Sequence, residues 1–251
     1  MDGARRKRRN LSLRIEMERT DVIQAFIDGR GLASYLEIGV GSGHNFLRVR
    51  AARKLAVDPQ PRVGSFKRLR WSLRNETNRG SRIQCMSSEQ FFAGRGPLFG
   101  ESGLDIAFVD GLHTYEQALR DVEHCLAHLR PGGVVLVHDC SPPSAAAATR
   151  ARSPEEASRL AGSAWDGAWC GDVYKAILYL RSQRPDLRAC VLDCDRGIGV
   201  VEPGESFRSL ELGIEQIARL GYAELAVHRQ EWLDLRPAAA LADLIGARRD
   251  A

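Results

Sequence analysis

The sequence predicts an α/β protein, a three-layer sandwich in which helices cover both faces of a seven-stranded, mostly parallel sheet with a C-terminal antiparallel strand. The first observation is that short apolar runs, which suit buried strands, alternate five times with segments of helical character. The second is a pair of strand-like runs at 187–193 and 198–202, divided by Asp195, Arg196 and Gly197. A hairpin of this kind would close a parallel sheet with an antiparallel edge.

Five strands are predicted before residue 140, each from a short apolar run. The first run stops at the glycines of residues 39–43, and the fifth is the fully apolar sequence VVLV. Runs without polar alternation are typical of strands that are buried on both faces. The predicted strands are 33–38, 54–58, 81–85, 104–109 and 134–137.

The segments between these runs are predicted to be helical. The clearest is 113–129, where apolar residues recur at helical spacing and the sequence RPGG at 130–133 ends the helix. Its apolar stripe consists of Leu119, Val122, Cys125, Leu126 and Leu129. Further helices are predicted at about 11–30, 43–53, 64–78 and 171–181, and within 205–248.

Length and composition predict one domain behind a short tail. Residues 1–10 contain the basic run RRKRR, and no apolar segment follows it, so no secretory signal is predicted. Residues 11–251 are predicted to form a single domain with an insertion or lid, rich in alanine, serine and proline, at about 141–168. No apolar run approaches the length of a membrane span, so no membrane partner is expected. The 6 cysteines include no CxxC pair, which favours reduced thiols and a cytoplasmic protein.

The segment 35–43, YLEIGVGSG, joins the first predicted strand to a helix through three glycines. Glycines allow a tight turn and let a ligand approach the backbone. Dinucleotide-binding loops are similar but need a third glycine or alanine where this chain has His44. Glu37, directly before the loop, could accept a hydrogen bond from an amino group. Asp58, at the end of the second strand, could accept from both hydroxyls of a ribose.

In these features the chain resembles the class I methyltransferases that depend on S-adenosylmethionine (SAM) and have a Rossmann-like fold. The segment 105–140 and the later pieces WCGDVYK (169–175) and DCDRGIG (193–199) resemble, more narrowly, methyltransferase family 24. Members of that family act largely on hydroxyls of sugars and other small molecules. The resemblance implies that SAM is the cofactor and that its methionine end lies against Glu37, Gly39, Gly41, Ser42 and Gly43.

The same resemblance assigns the nucleoside end of SAM. Asp58 would hold the ribose, and the loop after the third strand, with Ser87 and Ser88, would bind the adenine. Asp110, at the end of the fourth strand, would also face the cofactor.

A second group of polar residues follows the fourth and fifth predicted strands, with Asp110 and His113 after one and His138 and Asp139 after the other. The carboxyl ends of parallel strands meet at one edge of the sheet, where ligands bind, so these four side chains are expected together. Methyl transfer to a hydroxyl requires the loss of its proton, which a base or a cation assists. His113 is predicted to be the base, with Asp110 and His138 as further catalytic residues.

A metal ion is the other way to assist this reaction. Catechol-type O-methyltransferases bind a metal after the fourth and fifth strands, and similarity to them implies Asp110, His138 and Asp139 as ligands. The two acids suit Mg²⁺, whereas a histidine at this place favours a softer ion such as Mn²⁺. A metal-free site with histidine as the base is the alternative.

The sequence therefore predicts SAM-dependent O-methylation of a small molecule, a sugar or natural product. One alternative, an NAD-dependent oxidoreductase on a Rossmann-like fold, conflicts with His44. Another is a nucleic-acid methyltransferase guided by the basic tail. Such enzymes usually carry an Asn/Asp-Pro-Pro-aromatic motif where this chain has DGLH at 110–113, so a nucleic-acid partner is not expected. Apolar helices within 205–248 would allow a homo-oligomer.

Overall fold

The computed structural model describes residues 17–93, 98–100, 103–206 and 209–246. Eight strands form one sheet in these ranges, and helices pack on both of its faces. The strands are β1 (Ser34–Ile38), β2 (Arg53–Val57), β3 (Arg82–Gln84), β4 (Leu104–Val109), β5 (Leu129–Val137), β6 (Leu187–Asp193), β7 (Ile198–Pro203) and β8 (Leu235–Pro237). The α-helices are α1 (Arg19–Arg30), α2 (His44–Arg48), α3 (Ser65–Arg74), α4 (Ser88–Phe92), α5 (Tyr115–Ala127), α6 (Pro154–Ala161), α7 (Tyr174–Gln183), α8 (Ile214–Arg219), α9 (Tyr222–Trp232) and α10 (Leu241–Gly246).

The strand order is β3-β2-β1-β4-β5-β7-β6-β8, and β7 alone runs antiparallel to its neighbours in the described sheet. The predicted three-layer, mostly parallel architecture is confirmed, but the sheet has eight strands rather than seven. The extra strand, β8, pairs in parallel with β6. It forms the edge of the sheet, so the predicted β6–β7 hairpin lies one strand inside that edge. A strand of three residues has no recognisable period, which is why the sequence did not indicate it.

The start of β5 also differs from the prediction. The segment 130–133, expected to end a helix, belongs to the strand, and α5 already ends at Ala127. The β4–β5 register shifts between Leu104 and Ile106, so the additional residues of β5 form an irregularity in the ladder. Pro131 lacks an N–H, and the two glycines after it tolerate unusual backbone angles, which suits them to such a bulge.

Apolar side chains of the sheet pack on both faces. In β1, for example, Leu36 and Ile38 belong to the cluster beneath α5 and α7, whereas Tyr35 belongs to the opposite cluster beneath α1. Burial on both faces explains the unbroken apolar runs in the sequence. Among the described residues, no helix combines the length and the apolar character needed to cross a bilayer.

The carboxyl ends of β2, β1, β4 and β5 lie side by side, and backbone hydrogen bonds continue the ladder just beyond them. The amide of Gly39 donates to Val57 O, that of Asp110 to Ile38 O, and that of His138 to Val109 O, each at 2.9 Å. The residues that follow the strands are therefore held in register, and the polar groups predicted for this edge of the sheet come together there.

The tail and the insertion predicted from the sequence stand differently in the structure. The basic tail 1–10 and the first part of the helix expected at 11–30 lie outside the described residues, and α1 begins at Arg19. The segment 141–168 contains α6 and a short 3₁₀ helix at Gly162–Ala164. Its division from the rest of the domain stays a prediction.

Asp105 ties β4 to β1 at the opposite edge of the sheet. Its fully buried carboxylate accepts hydrogen bonds from the amides of Ala33, at 2.8 Å, and Ser34, at 2.9 Å. It also forms an ion pair with Arg130 at the start of β5. Three neighbouring strand starts thus depend on one side chain.

We expect Asp105→Ala to lower the free energy of unfolding by about 3 kcal/mol, because two backbone amides and a guanidinium lose their acceptor. Urea denaturation measures this. The matched control is Glu123→Ala on the exposed side of α5, which should change the stability by less than about 0.5 kcal/mol. Equal urea midpoints for the two variants would contradict the assignment.

Candidate functional site

The glycine loop between β1 and α2 passes very close to the end of β4. Gly39 has φ +86°, and a Cβ added there would lie 2.0 Å from the carbonyl oxygen of Asp110. Only glycine satisfies both conditions, because a side chain would be strained by the backbone angle and would clash. The loop can therefore lie flat across the ends of β1 and β4 and present its backbone to a ligand.

Glu37 is the buried acid at this loop. Its Oε2 accepts hydrogen bonds from the Tyr35 hydroxyl and from Asn45 Nδ2, the latter at 2.9 Å. Both bonds go to the same oxygen, which leaves Oε1 available to a ligand. Burial raises the pKa of Glu37 to about 8, so the carboxyl group gains most from a cationic ligand nearby.

Asp58 follows β2 and is fixed by the backbone. Its Oδ2 accepts from the Gly41 amide at 2.8 Å, and its Oδ1 accepts from the Gln60 amide at 2.7 Å. Each carboxylate oxygen can accept a further hydrogen bond, so the group can still bind a pair of hydroxyls. Ser87 and Ser88 lie at the start of α4, and they line the same cavity as Asp58.

Two cavities lie along this edge of the sheet and share Gly39, Gly41 and Asp110 on their walls. The first, of about 510 Å³, is polar, and the second has a volume of about 480 Å³. Of the residues predicted from the sequence, the first cavity is lined by Glu37, Ser42, His113 and Asp139, and the second by Asp58, Ser87 and Ser88. Gly43 is not among the lining residues of either cavity and packs against Val63 instead. The pair of cavities therefore presents Glu37 at one end and Asp58 at the other, with the glycine loop between them.

His138 lies beneath the first cavity, fully buried between two carboxylates. Its Nδ1 is 3.1 Å from Asp110 Oδ1 and 3.1 Å from Asp139 Oδ2, and its Nε2 is 3.3 Å from Asp195 Oδ1. Burial lowers the pKa of His138, but the charges of Asp110 and Asp139 outweigh this effect and raise the pKa well above its usual value. His138 is therefore held as a cation and is suited to fixing the two acids rather than to accepting a proton.

Asp139 has one satisfied and one unsatisfied oxygen. Its Oδ1 accepts from Arg196 Nε at 2.6 Å. Its Oδ2 is buried and makes no aligned hydrogen bond, although His138 Nδ1 and His113 Nδ1, at 3.4 Å, lie within ion-pair distance. Asp139 also has φ +59°, a strained angle for a residue other than glycine. The orphaned oxygen is available to a further cation or proton.

Two histidines line the first cavity, His44 at the start of α2 and His113, and His113 is the one that contacts the acids Asp110 and Asp139. Its Nδ1 is 3.1 Å from Trp169 O, its ring lies 4.5 Å from the indole of Trp169, and its Nε2 is 3.5 Å from Asp110 Oδ1. Burial lowers the pKa of His113, but the hydrogen bond with Asp110 and the charge of Asp139 raise it overall. The ring is therefore a stronger base than a histidine in water.

Two arginines that sequence reasoning missed complete the cluster. Arg19, at the start of α1, donates from Nη1 to Asp110 Oδ2 at 2.9 Å and from Nε to Asp195 Oδ2 at 2.8 Å. Arg196 pairs with Asp139 from the β6–β7 turn. Asp195 and Arg196 were interpreted only as turn residues, and nothing in the sequence around Arg19 points to the site.

Asp121 was also missed. It lies on α5 at the wall of the second cavity, accepts from Gln117 Nε2 at 3.0 Å, and is buried, which raises its pKa to about 6. A signal was present, because Asp121 stands directly before Val122 on the buried side of an amphipathic helix, where an acid is rare without a partner. Its carboxyl group can bind an amino group of a ligand in that cavity.

The cluster can also supply metal ligands. Asp110, His113 and Asp139 each offer one ligand atom, and these atoms lie within 4.8 Å of one another. The sequence predicted His138 rather than His113 in this set. His138 Nδ1 faces the same two acids, Asp110 and Asp139. These acids stabilise a proton on His138, and the proton would have to be lost before the nitrogen could bind a metal ion. Two oxygens and one or two imidazole nitrogens suit Mn²⁺ better than Mg²⁺.

Comparison with known proteins bears on the fold and on the family that the chain resembles. Residues 36–140 match a family model described as a methyltransferase domain. No curated protein matches the sequence significantly. The fold is similar to that of the S-adenosylhomocysteine-bound methyltransferase PaMTH1 from Podospora anserina (TM-score 0.52, 16% identity, 74% of this chain and 78% of that chain covered). It is also similar to a protein from Klebsiella pneumoniae that is considered an O-methyltransferase (TM-score 0.51, 12% identity, 74% and 79% covered).

The family match selects a methyltransferase over an oxidoreductase, in agreement with the glycine loop and its two acids. The match over residues 36–140 and the Rossmann-like sheet agree with the resemblance of the chain to class I, SAM-dependent methyltransferases of family 24.

Proposed function

We propose that the protein transfers a methyl group from SAM to a hydroxyl group of a small polar molecule, and that His113 removes the hydroxyl proton. The observation that carries this proposal is the position of His113. It is the histidine of the buried cluster that lines the first cavity, beside the glycine loop and Asp110. A base in the first cavity, next to Asp110, which lines both cavities, can act on an acceptor held beside the cofactor.

SAM would supply an electrophilic methyl group on a sulfonium. In this proposal Glu37 Oε1 binds the ammonium of its methionine end, and the backbone of residues 39–43 lies along that end. Asp58 binds the ribose hydroxyls, while Ser88 and Asp121 face the adenine. The ammonium of the cofactor then lies near Glu37, the acid of the first cavity whose pKa is raised by burial.

The acceptor hydroxyl must lose its proton as it attacks, because its pKa is far above neutrality. His113 accepts that proton at Nε2 while its Nδ1–H donates to Trp169 O, a hydrogen bond that sets the tautomer and the ring orientation. The resulting imidazolium is stabilised by Asp110 and Asp139. Arg19 and Arg196 hold these carboxylates in place and make the outer wall of the cavity polar, which suits an acceptor such as a sugar.

Metal assistance is the competing version of this mechanism, and it would use the same histidine differently. An ion bound by Asp110, His113 and Asp139 would occupy the imidazole, so His113 could not also accept a proton. We favour the metal-free version because Arg19, Arg196 and the cationic His138 already balance the charges of Asp110, Asp139 and Asp195.

We expect His113→Gln to lower kcat by about 10²–10⁴-fold and to leave SAM affinity nearly unchanged, because a general base contributes a factor of this size. The measurement is S-adenosylhomocysteine release with a panel of sugars and phenols as acceptors. His228→Gln, on the exposed side of α9, is the matched control and should turn over like the wild type. Wild-type turnover by His113→Gln would refute the assignment of the base.

Treatment with EDTA followed by desalting distinguishes the two versions. We expect the treated enzyme to keep its full rate, because the proposed base needs no ion, and added Mn²⁺ or Mg²⁺ should not increase the rate. Loss of activity on chelation, restored by one of these ions, would instead establish Asp110, His113 and Asp139 as metal ligands.

SAM binding is expected to release close to one proton at pH 7. The pKa of Glu37 is about 8 in the free protein, so the carboxyl group is mostly protonated at pH 7, and a bound ammonium favours its ionised form. Affinity for SAM should therefore rise as the pH approaches 8. Calorimetry in two buffers with different ionisation enthalpies counts the protons released.

The control for this experiment is Glu37→Gln, which should bind SAM more weakly and lose the proton release. Glu215→Gln on the exposed side of α8 should retain it. If proton release were the same in Glu37→Gln and the wild type, the titrating group would not be Glu37.

A further inference from the structure

Helix α3 exposes an apolar face that the fold does not cover. Phe66, Leu69 and Leu73 recur at helical spacing and are 80%, 63% and 76% exposed, respectively. Of the large hydrophobic side chains exposed on the described part of the protein, these three share one helix, and α3 has no buried residue. An amphipathic helix normally turns its apolar stripe towards the core, so this orientation calls for a partner.

Polar contacts hold α3 in this orientation. Lys67 Nζ donates to Ser42 O at 2.7 Å, and Arg68 donates to Ser81 O at 3.2 Å. Trp71, half-buried, packs against the core from the same side. The inner face is thus fixed by two cations and one indole, and the apolar stripe is directed outwards together with the exposed Arg70.

The surroundings of α3 are strongly basic. The segment 59–88 contains seven lysine and arginine residues and a single acid, Glu76, so its net charge of +6 exceeds the +4 of the whole chain. Exposed Arg62, Arg70 and Arg74 lie on or beside the helix. A partner for this surface must therefore offer an apolar layer and negative charge at the same place.

We propose that the exposed face of α3 docks on an anionic lipid surface. Its apolar residues, Phe66, Leu69 and Leu73, would insert among the acyl chains. Arg70 and Arg74 would lie at the lipid headgroups. Large apolar residues on one face and basic residues beside them are the pattern of helices that lie in a membrane interface. The sequence, judged by its lack of a membrane span, predicted no membrane partner. Surface docking requires no span, and the exposure of α3 becomes visible only in the structure.

Other occupants fit less well. A second copy of the chain, related by two-fold symmetry, would place α3 against its own positive charge. The N-terminal tail carries the basic run at residues 5–9 and would be repelled in the same way. A nucleic acid would neutralise the arginines but offers no apolar layer for Leu69 and Leu73.

The position of α3 links docking to the cofactor site. Two hydrogen bonds join the region of α3 to the glycine loop. Lys67 Nζ donates to Ser42 O, and the amide of Arg62 donates to Gly41 O, each at 2.7 Å. A docked molecule would therefore hold its glycine loop next to the lipid surface. Methyl acceptors that partition into the headgroup region would then be concentrated near the first cavity.

The test is co-sedimentation of the full chain with vesicles of phosphatidylcholine alone and of phosphatidylcholine with about one third phosphatidylserine, an anionic surface of the kind that attracts basic segments. We expect binding to the anionic vesicles only, weakened by salt. The triple variant Phe66→Ser, Leu69→Ser, Leu73→Ser should bind at least tenfold more weakly, and so should Arg70→Gln with Arg74→Gln.

Matched controls use exposed residues elsewhere on the surface. Ile214→Ser with Val227→Ser, and Arg219→Gln, should bind vesicles like the wild type. Calorimetry with SAM checks that every variant keeps its fold, since none of the changed residues lines either cavity.

Three results would overturn the proposal. The first is undiminished vesicle binding by the triple variant, which would assign binding to the basic tail; neutralising residues 5–9 would then abolish it. The second is a dimer in sedimentation analysis that the triple variant loses. The third is tight binding of a single-stranded oligonucleotide that depends on α3, with no binding to anionic vesicles.

Discussion

The buried imidazole of His138 lies between the carboxylates of Asp110 and Asp139, and the rest of the site depends on this contact. Each acid has an oxygen 3.1 Å from the same ring nitrogen, Nδ1 of His138. Without the histidine, two carboxylates this close would repel each other, and each would raise the pKa of the other. A cation between them reverses the effect, and the pKa of each acid is lowered instead, despite burial. Since Asp110 follows β4 and His138 follows β5, the contact also holds the ends of these strands at the floor of the first cavity.

The acids are then enclosed from two distant parts of the chain. Arg19 enters from the first helix, and Asp195 and Arg196 enter from the β6–β7 turn, so the cluster has cations above and below it. Partly buried charges are costly unless they are paired. The acids of the site are therefore stable only when α1 and the β6–β7 turn are in place to supply Arg19, Asp195 and Arg196. The same arrangement leaves His113 as the cluster's histidine with access to the cavity, and this access is what makes it the candidate base.

The glycine loop serves two surfaces at once. On its inner side, the close approach of Gly39 to Asp110 O brings the loop onto the two cavities. On its outer side, Ser42 O receives the lysine of α3, and this bond helps to hold the apolar stripe of α3 away from the core. A helix positioned by polar contacts keeps its hydrophobic residues free for an external partner.

The sequence by itself determined the layered α/β architecture and the edge at which Glu37, Asp110 and Asp139 gather. Apolar runs, glycine loops and acids after strands are local patterns that can be recognised in the sequence. Parallel pairing then brings the acids that follow the strands to the same edge of the sheet. Only the tertiary structure decided β8, the roles of Arg19 and Asp195, and the outward orientation of α3. The reason is physical: Arg19 and Asp195 are 176 positions apart, and neither such an ion pair nor the choice of which helix face meets the core leaves a local pattern in the chain.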